Sequence, residues 1–313
     1  MADPICRRDF CRNTLTTSAT IAFSGYRAVR PQHAGSAPAP YAVMQDVVRY
    51  RKIDAHAHVG LSPGDVETQL DIADRLGIAK MCISKPVTNF SGTEPEGPEE
   101  VQKCNDFVIE AVRRHPDRYF GYFTLNPRFP KESRAEVKRC VDRGLIGYKG
   151  YTQVKINDPL YYPLIEMFIG LRMIIMMHAF CQLGLGGYRM KYDIGQAPNT
   201  SIPEDFADIA RRYPEATFQF AHIGGGGDWE YECKALKDCP NIYVDTAGSN
   251  NEENMIDYAV KHLGEDRLFF GSDSSYYQSV GKILAANLSD NQKRKIFSEN
   301  YRTVLKKLGK DVD

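Results

Sequence analysis

The stretch KIDAHAH, Lys52 to His58, alternates in chemical character with a period of two. Successive side chains of a strand point to opposite faces, so Asp54, His56 and His58 share one face while Ile53, Ala55 and Ala57 share the other. Such a polar face has to point into the interior of a closed sheet. Two imidazoles buried that close together are costly without partners, and a divalent cation satisfies both at once.

Seven further apolar runs follow: AKMCIS (79–84), YFGYFTL (119–125), IGYKGY (146–151), MIIMMH (173–178), TFQFAH (217–222), IYVDT (242–246) and LFFGSD (268–273). Longer amphipathic stretches lie between them, among them DVETQLDIADRL, EEVQKCNDFVIEAVRRH and the closing DNQKRKIFSENYRTVLKKL, with Gly or Pro at or just beyond most of their ends. This alternation argues parallel strands joined by crossover helices, and eight right-handed units close into a (β/α)8 TIM barrel. An open doubly wound sheet is the rival architecture, but the Gly-rich phosphate turn it needs after the first strand is missing. Two long loops, PVTNFSGTEPEGP after the second run and AFCQLGLGGYRMKYDIGQAPNTSI after the fifth, would open on the catalytic face and shape its pocket.

The chain of 313 residues suits one such barrel with an extra segment. Forty basic side chains balance forty acidic ones, so no overall field draws nucleic acid or an anionic membrane, and a small molecule is the partner to expect. The eight cysteines are scattered without a C-x-x-C pair, which argues against a disulfide framework. At the N-terminus, CRRDFCR (6–12) precedes the weakly apolar TLTTSATIAFSG and the small-residue segment AGSAPAP. That order reads as a twin-arginine export signal over residues 1–40, with the barrel over 50–313 and a periplasmic or cell-envelope location. The alternative is a disordered tail on a cytoplasmic protein.

Of the seven histidines, His56, His58, His178 and His222 fall at the C-terminal ends of predicted strands, the rim where active sites of this barrel are found. Asp273 ends the eighth strand, which closes next to the first. His56, His58, His178 and Asp273 together form a site for one divalent metal ion, zinc with manganese as the alternative, with room for water. Singly each is weak: H-x-H is common, His178 reads as a strand cap, and Asp273 suits the turn SDSS. Gly224 to Gly227 read as a tight turn serving the pocket rather than a phosphate cradle, since the lysine of a P-loop is absent. Lys149 on the fourth strand reads as a lysine paired with a neighbouring carboxylate. Asp54 is placed to orient a ligand histidine. Arg128, Tyr188, Arg189, Lys191, Trp229, Tyr276 and Tyr277 lie in loops of the catalytic face, within reach of substrate.

IDAHAH, the strand ending MMH, FAHIGGG, LFFGSD and the closing SENYRTVL resemble the amidohydrolase superfamily, specifically the amidohydrolase-related family that includes aminocarboxymuconate semialdehyde decarboxylase. The resemblance spans about residue 50 to the end. It implies that His56, His58, His178 and Asp273 bind the metal and that His222 carries a proton beside it; in binuclear members of the superfamily a lysine on the fourth strand, here Lys149, bridges a second metal, whereas the family resembled works with one. The expected function is hydrolysis of a small ester, lactone or amide by metal-activated water, with Asp273 accepting the water's proton and His222 serving the oxyanion or the leaving group. The alternative is non-oxidative decarboxylation of a small unsaturated or aromatic carboxylic acid, with Arg128 or Arg189 as a clamp for the carboxylate. Some relatives carry Glu-x-His in the first strand and decarboxylate aromatic acids; the intact H-x-H pair departs from that subgroup and counts slightly against aromatic acids. A barrel that binds without catalysis is the reading from another class, and the complete ligand set argues against it. Barrels of this family often pair, which leaves a homodimer open.

Overall fold

Both faces of a parallel strand are covered in a barrel, and all seven residues of β1 (Lys52–His58) are buried. The remaining strands are β2 (Ile78–Ser84), β3 (Tyr119–Phe123), β4 (Gly147–Gly150), β5 (Ile174–His178), β6 (Thr217–Ala221), β7 (Ile242–Asp245) and β8 (Leu268–Phe269). They pair in parallel in the order β1 to β8. The computed structural model describes residues 42–87, 97–181, 199–223, 225, 227–248 and 254–310. The seam between the last and first strands is closed by single backbone bonds: Ala55 N–H donates to Phe270 O (2.8 Å), and Ser272 and Asp273 N–H both donate to His56 O (3.2 and 2.8 Å). The architecture is the (β/α)8 barrel that the alternating pattern predicts.

The crossover helices are α2 (Asp65–Leu76), α3 (Pro98–Arg114), α4 (Pro130–Asp142), α5 (Tyr162–Gly170), α6 (Pro203–Arg212), α7 (Trp229–Leu236) and α8 (Met255–Leu263), with α1 (Val43–Arg49) ahead of the first strand. Their apolar faces meet the outward side chains of the strands, such as Ala57, Ile83, Met177, Phe220 and Val244, in one continuous core. The inward side chains of four strands include polar, fully buried ones: His56 of β1, Lys149 of β4, Gln219 of β6 and Asp245 of β7. His56 bonds Asp245 and Lys149, and Gln219 bonds Asp245, which joins these polar residues inside the barrel.

Three features depart from the sequence reading. The eighth strand is two residues long, so Asp273 sits four residues beyond it in a turn, and His222 likewise follows β6 instead of ending it. Two helices went unread, α1 and α9 (Tyr276–Ala285). The closing helix is three pieces, α10 (Asp290–Arg294), a π-turn (Lys295–Glu299) and α11 (Asn300–Lys307). The π-turn frees Ile296 O to accept Phe270 N–H at 2.9 Å, while Asn300 Nδ2 donates to Glu265 O (2.6 Å) and Leu268 O (2.9 Å). The asparagine of SENYRTVL thus fastens the helix to the start of β8.

The described cysteines, Cys82, Cys104, Cys140, Cys181, Cys233 and Cys239, are buried free thiols. Among the described residues no helix is long and apolar enough to cross a membrane. Residues 1–40, with the paired arginines, lie outside the described residues.

Candidate metal centre

β1 delivers two imidazoles to the upper rim, and each has one ring nitrogen occupied. His56 Nδ1 lies 3.0 Å from Asp245 Oδ2, and His58 Nδ1 lies 3.1 Å from Ser84 Oγ and 3.3 Å from Ser84 O. The Asp245 carboxylate only accepts, so His56 Nδ1 carries the hydrogen and the lone pair of its Nε2 turns inward, while His58 stands between Ser84 on one side and the Asp273 carboxylate on the other. Asp273 Oδ1 is 3.0 Å from His58 Nε2 and 3.8 Å from His56 Nε2. His222 completes the group with Nδ1 3.5 Å from Asp273 Oδ2, and His56, His222 and Asp273 offer ligand atoms within 4.8 Å of one another. His178, at the end of β5, enters through His222, its Nδ1 standing 3.1 Å from His222 Nε2.

Two turns hold this geometry under strain. His222 and Asp273 both have positive φ, 79° and 47°, a region that non-glycine residues enter only when the surroundings impose it. Asp245 imposes the first: its Oδ1 accepts the His222 N–H at 3.0 Å. Gly225 permits the tight return, donating to His222 O at 2.8 Å where an added Cβ would come within 2.9 Å of the His222 Cβ. Asp54 imposes the second, with Oδ1 accepting both His56 N–H (3.0 Å) and Ser272 N–H (2.9 Å). Gly271 lets that turn pass so close that a Cβ there would lie 3.1 Å from the Cβ atoms of both Asp245 and His56. The glycine run therefore builds a turn at its described members, Gly225 and Gly227; Gly224 and Gly226 lie outside the described residues.

The electrostatics follow from burial. It drives His222 down to about 3 against the pull of Asp273, and it lowers His58 and His178 as well, so these rings rest neutral. Burial works against ionisation of Asp273 and Asp245, yet the neighbouring histidines hold both carboxyls below the usual range. Asp54, surrounded by protein, is pushed up to about 7. Imidazoles gathered around one carboxylate bring several potential ligand atoms to one place. Nitrogen and oxygen donors of this kind fit a divalent ion.

Some sequence-predicted contacts are absent. Asp54 bonds backbone, not a ring; the carboxylate that orients His56 is Asp245, held in turn by Gln219 Nε2 at 2.8 Å. Neither was singled out from the sequence, although an aspartate closing the apolar run IYVDT was a visible signal. Lys149 does not pair with a carboxylate: its Nζ lies 3.0 Å from His56 Nε2. Arg128 points away, donating to Gln153 O at 2.9 Å. Trp229 and Tyr276 are buried, Tyr276 bonded to Gln69, while Tyr277 is exposed. Tyr188, Arg189 and Lys191 lie outside the described residues. A cavity of about 470 Å³ opens beside His58, lined also by Gln69, Asp65, Tyr276 and Tyr277.

A family model described as Amidohydrolase matches residues 53–306, from the first strand through the last helix. The chain belongs to the amidohydrolase family. Among curated relatives of this amidohydrolase, 2-amino-3-carboxymuconate-6-semialdehyde decarboxylase of Dictyostelium discoideum is 24% identical over 286 residues, covering 83% of this chain and 77% of that protein. Gamma-resorcylate decarboxylase of Polaromonas sp. (strain JS666) is 25% identical over 251 residues, covering 66% and 76%. Among solved structures, a dihydroxybenzoic acid decarboxylase from Polaromonas sp. JS666 with bound manganese and the inhibitor 2-nitroresorcinol superposes with a TM-score of 0.63 at 18% identity, covering 82% of this chain and 97% of that one.

These relatives correct the expectation of a hydrolase. The amidohydrolases that this chain resembles in sequence are named decarboxylases, carboxy-lyases that break a carbon–carbon bond without adding water. The residues alone could not reveal this, because the same ligands serve both chemistries and the intact H-x-H pair speaks only to the aromatic subgroup.

Proposed function

We propose that the chain is a metal-dependent non-oxidative decarboxylase acting on a small unsaturated or aromatic carboxylic acid. The observation that carries this is the group of imidazoles around Asp273 in a chain whose curated relatives are decarboxylases. His56, His58, His178 and Asp273 are the residues that would hold the ion. The imidazole-rich donor set suits zinc, and manganese is the ion in the Polaromonas neighbour. The chemistry such an ion supplies when bound is electrophilic, stabilising negative charge as the carboxyl group departs.

The reaction breaks the bond between the carboxyl carbon and its neighbour. The electron pair stays on the neighbouring carbon, which takes up a proton, and carbon dioxide leaves. We assign His222 to pass that proton: it takes one from the incoming acid or from water, becomes an imidazolium beside the Asp273 carboxylate, and returns to the neutral ring as the carbon is protonated. If His178 keeps its Nε2 lone pair for the ion, its Nδ1–H donates to His222 Nε2 across 3.1 Å, and the His222 hydrogen then sits on Nδ1, facing Asp273 across 3.5 Å. His222 is 6% exposed, which keeps bulk water from the proton.

The test is a screen of unsaturated and aromatic acids with metal-loaded protein, reading carbon dioxide and product by mass. Equimolar carbon dioxide and a product lighter by one carboxyl group support the proposal. An acid consumed with water gained and no carbon dioxide released would overturn it.

A further inference from the structure

We infer that Lys149 is the cationic residue that receives the carboxylate of the substrate. The inference rests on the decarboxylase reading and adds to it the group that recognises the departing carboxyl. Lys149 is fully buried at the end of β4, and its Nζ meets the free lone pair of His56 Nε2 at 3.0 Å and lies 5.3 Å from the centre of the Tyr151 ring. Among the described residues Lys149 is the lysine that bonds His56. Lys282, the next nearest to Asp245, is committed to Thr246 O and Gly248 O. Of the two expected clamps, Arg128 is turned to Gln153 O, and Arg189 lies outside the described residues.

The charge balance gives Lys149 its role. A buried ammonium is costly unless an anion or a full set of acceptors meets it, and within bonding distance Lys149 meets one imidazole and no carboxylate. That lone pair is the one His56 would give to an ion. An ammonium and a divalent cation cannot share it, and side by side they require an anion between them. A substrate carboxylate would supply that anion. Lysine suits the task better than arginine because it contacts as a point charge and does not lock both oxygens in a planar fork, which leaves the group free to straighten into carbon dioxide. As the carbon–carbon bond breaks, the negative charge moves off the carboxyl group, so the contact with Lys149 is strongest before reaction. Its loss should therefore raise KM at least tenfold without lowering kcat.

The experiment compares wild type, Lys149→Met, Lys149→Gln and Lys149→Arg, all loaded with manganese and checked for metal content. Binding of benzoate, crotonate and the uncharged benzamide is measured by calorimetry. The inference predicts at least tenfold weaker benzoate and crotonate binding in Lys149→Met and Lys149→Gln, recovery in Lys149→Arg, unchanged benzamide binding, and full metal content throughout. Carboxylate binding indifferent to these substitutions, equal loss for benzamide, absence of carboxylate binding to wild type, or loss of metal in the Met and Gln variants would each overturn it. Lysine-dependent carboxylate binding by a protein that releases no carbon dioxide would leave the inference standing and sink the decarboxylase reading. The converse would sink the inference alone.

Discussion

Asp245 does two jobs with one carboxylate. Oδ2 takes the Nδ1 hydrogen of His56, which turns the Nε2 lone pair inward, and Oδ1 holds the strained backbone of His222. In Asp245→Asn the amide can donate to Nδ1, moving the ring hydrogen to Nε2 and removing the lone pair. Metal affinity should then fall by about 10–100-fold, as for other partners of ligating histidines. Chelator competition measures it, and an unchanged affinity would remove His56 from the ligand set. His222→Asn separates binding from chemistry: metal content should be retained while turnover drops by roughly 10²–10⁴, the usual worth of a positioned proton carrier. Turnover at wild-type rate would take His222 out of the mechanism. The five side chains of the cluster were legible because histidine is scarce in this chain and recurs at strand ends. Their supports were not, because Asp245, Gln219 and Ser84 are connected to them only through folding.

At the level of elements, strand order and crossover helices followed from periodicity, whereas the ends of β6 and β8 did not. Sequence marks where apolar alternation stops, but ladder bonding stops earlier, where Asp54 and Asp245 capture backbone N–H groups for the turns that carry Asp273 and His222. Helix α7 holds a second buried acid. Neither carboxyl oxygen of Glu232 has a hydrogen-bond partner, and burial, with Asp245 nearby, holds its pKa well above the usual 4.5. The unfolded chain releases this proton near pH 4.5 and the folded one does not. The folded state therefore loses stability as pH rises from there toward the folded value, by at most about 3 kcal/mol at pH 7. Glu232→Gln, neutral at every pH, should melt higher than wild type at pH 7, by about 2–4 °C for each kcal/mol recovered. The two melting curves should merge near pH 4. A gap independent of pH would show that Glu232 is ionised in the fold.

For the whole molecule, fold and family were readable because a barrel repeats its signal eight times and gathers its ligands at one rim. The reaction was not readable, since hydrolysis and decarboxylation differ in what the same centre does to its substrate. The reading of residues 1–40 as a twin-arginine signal stands as a separate proposal: replacing Arg7 and Arg8 by Lys should stop export, and normal export of that variant would reject it. The central claim is that His56, His58, His178 and Asp273 share one ion. Anomalous scattering from crystals soaked in manganese or zinc tests it most directly. The account predicts a single strong peak per chain within bonding distance of all four side chains; a peak elsewhere, or one that His178 or Asp273 fails to reach, would contradict it.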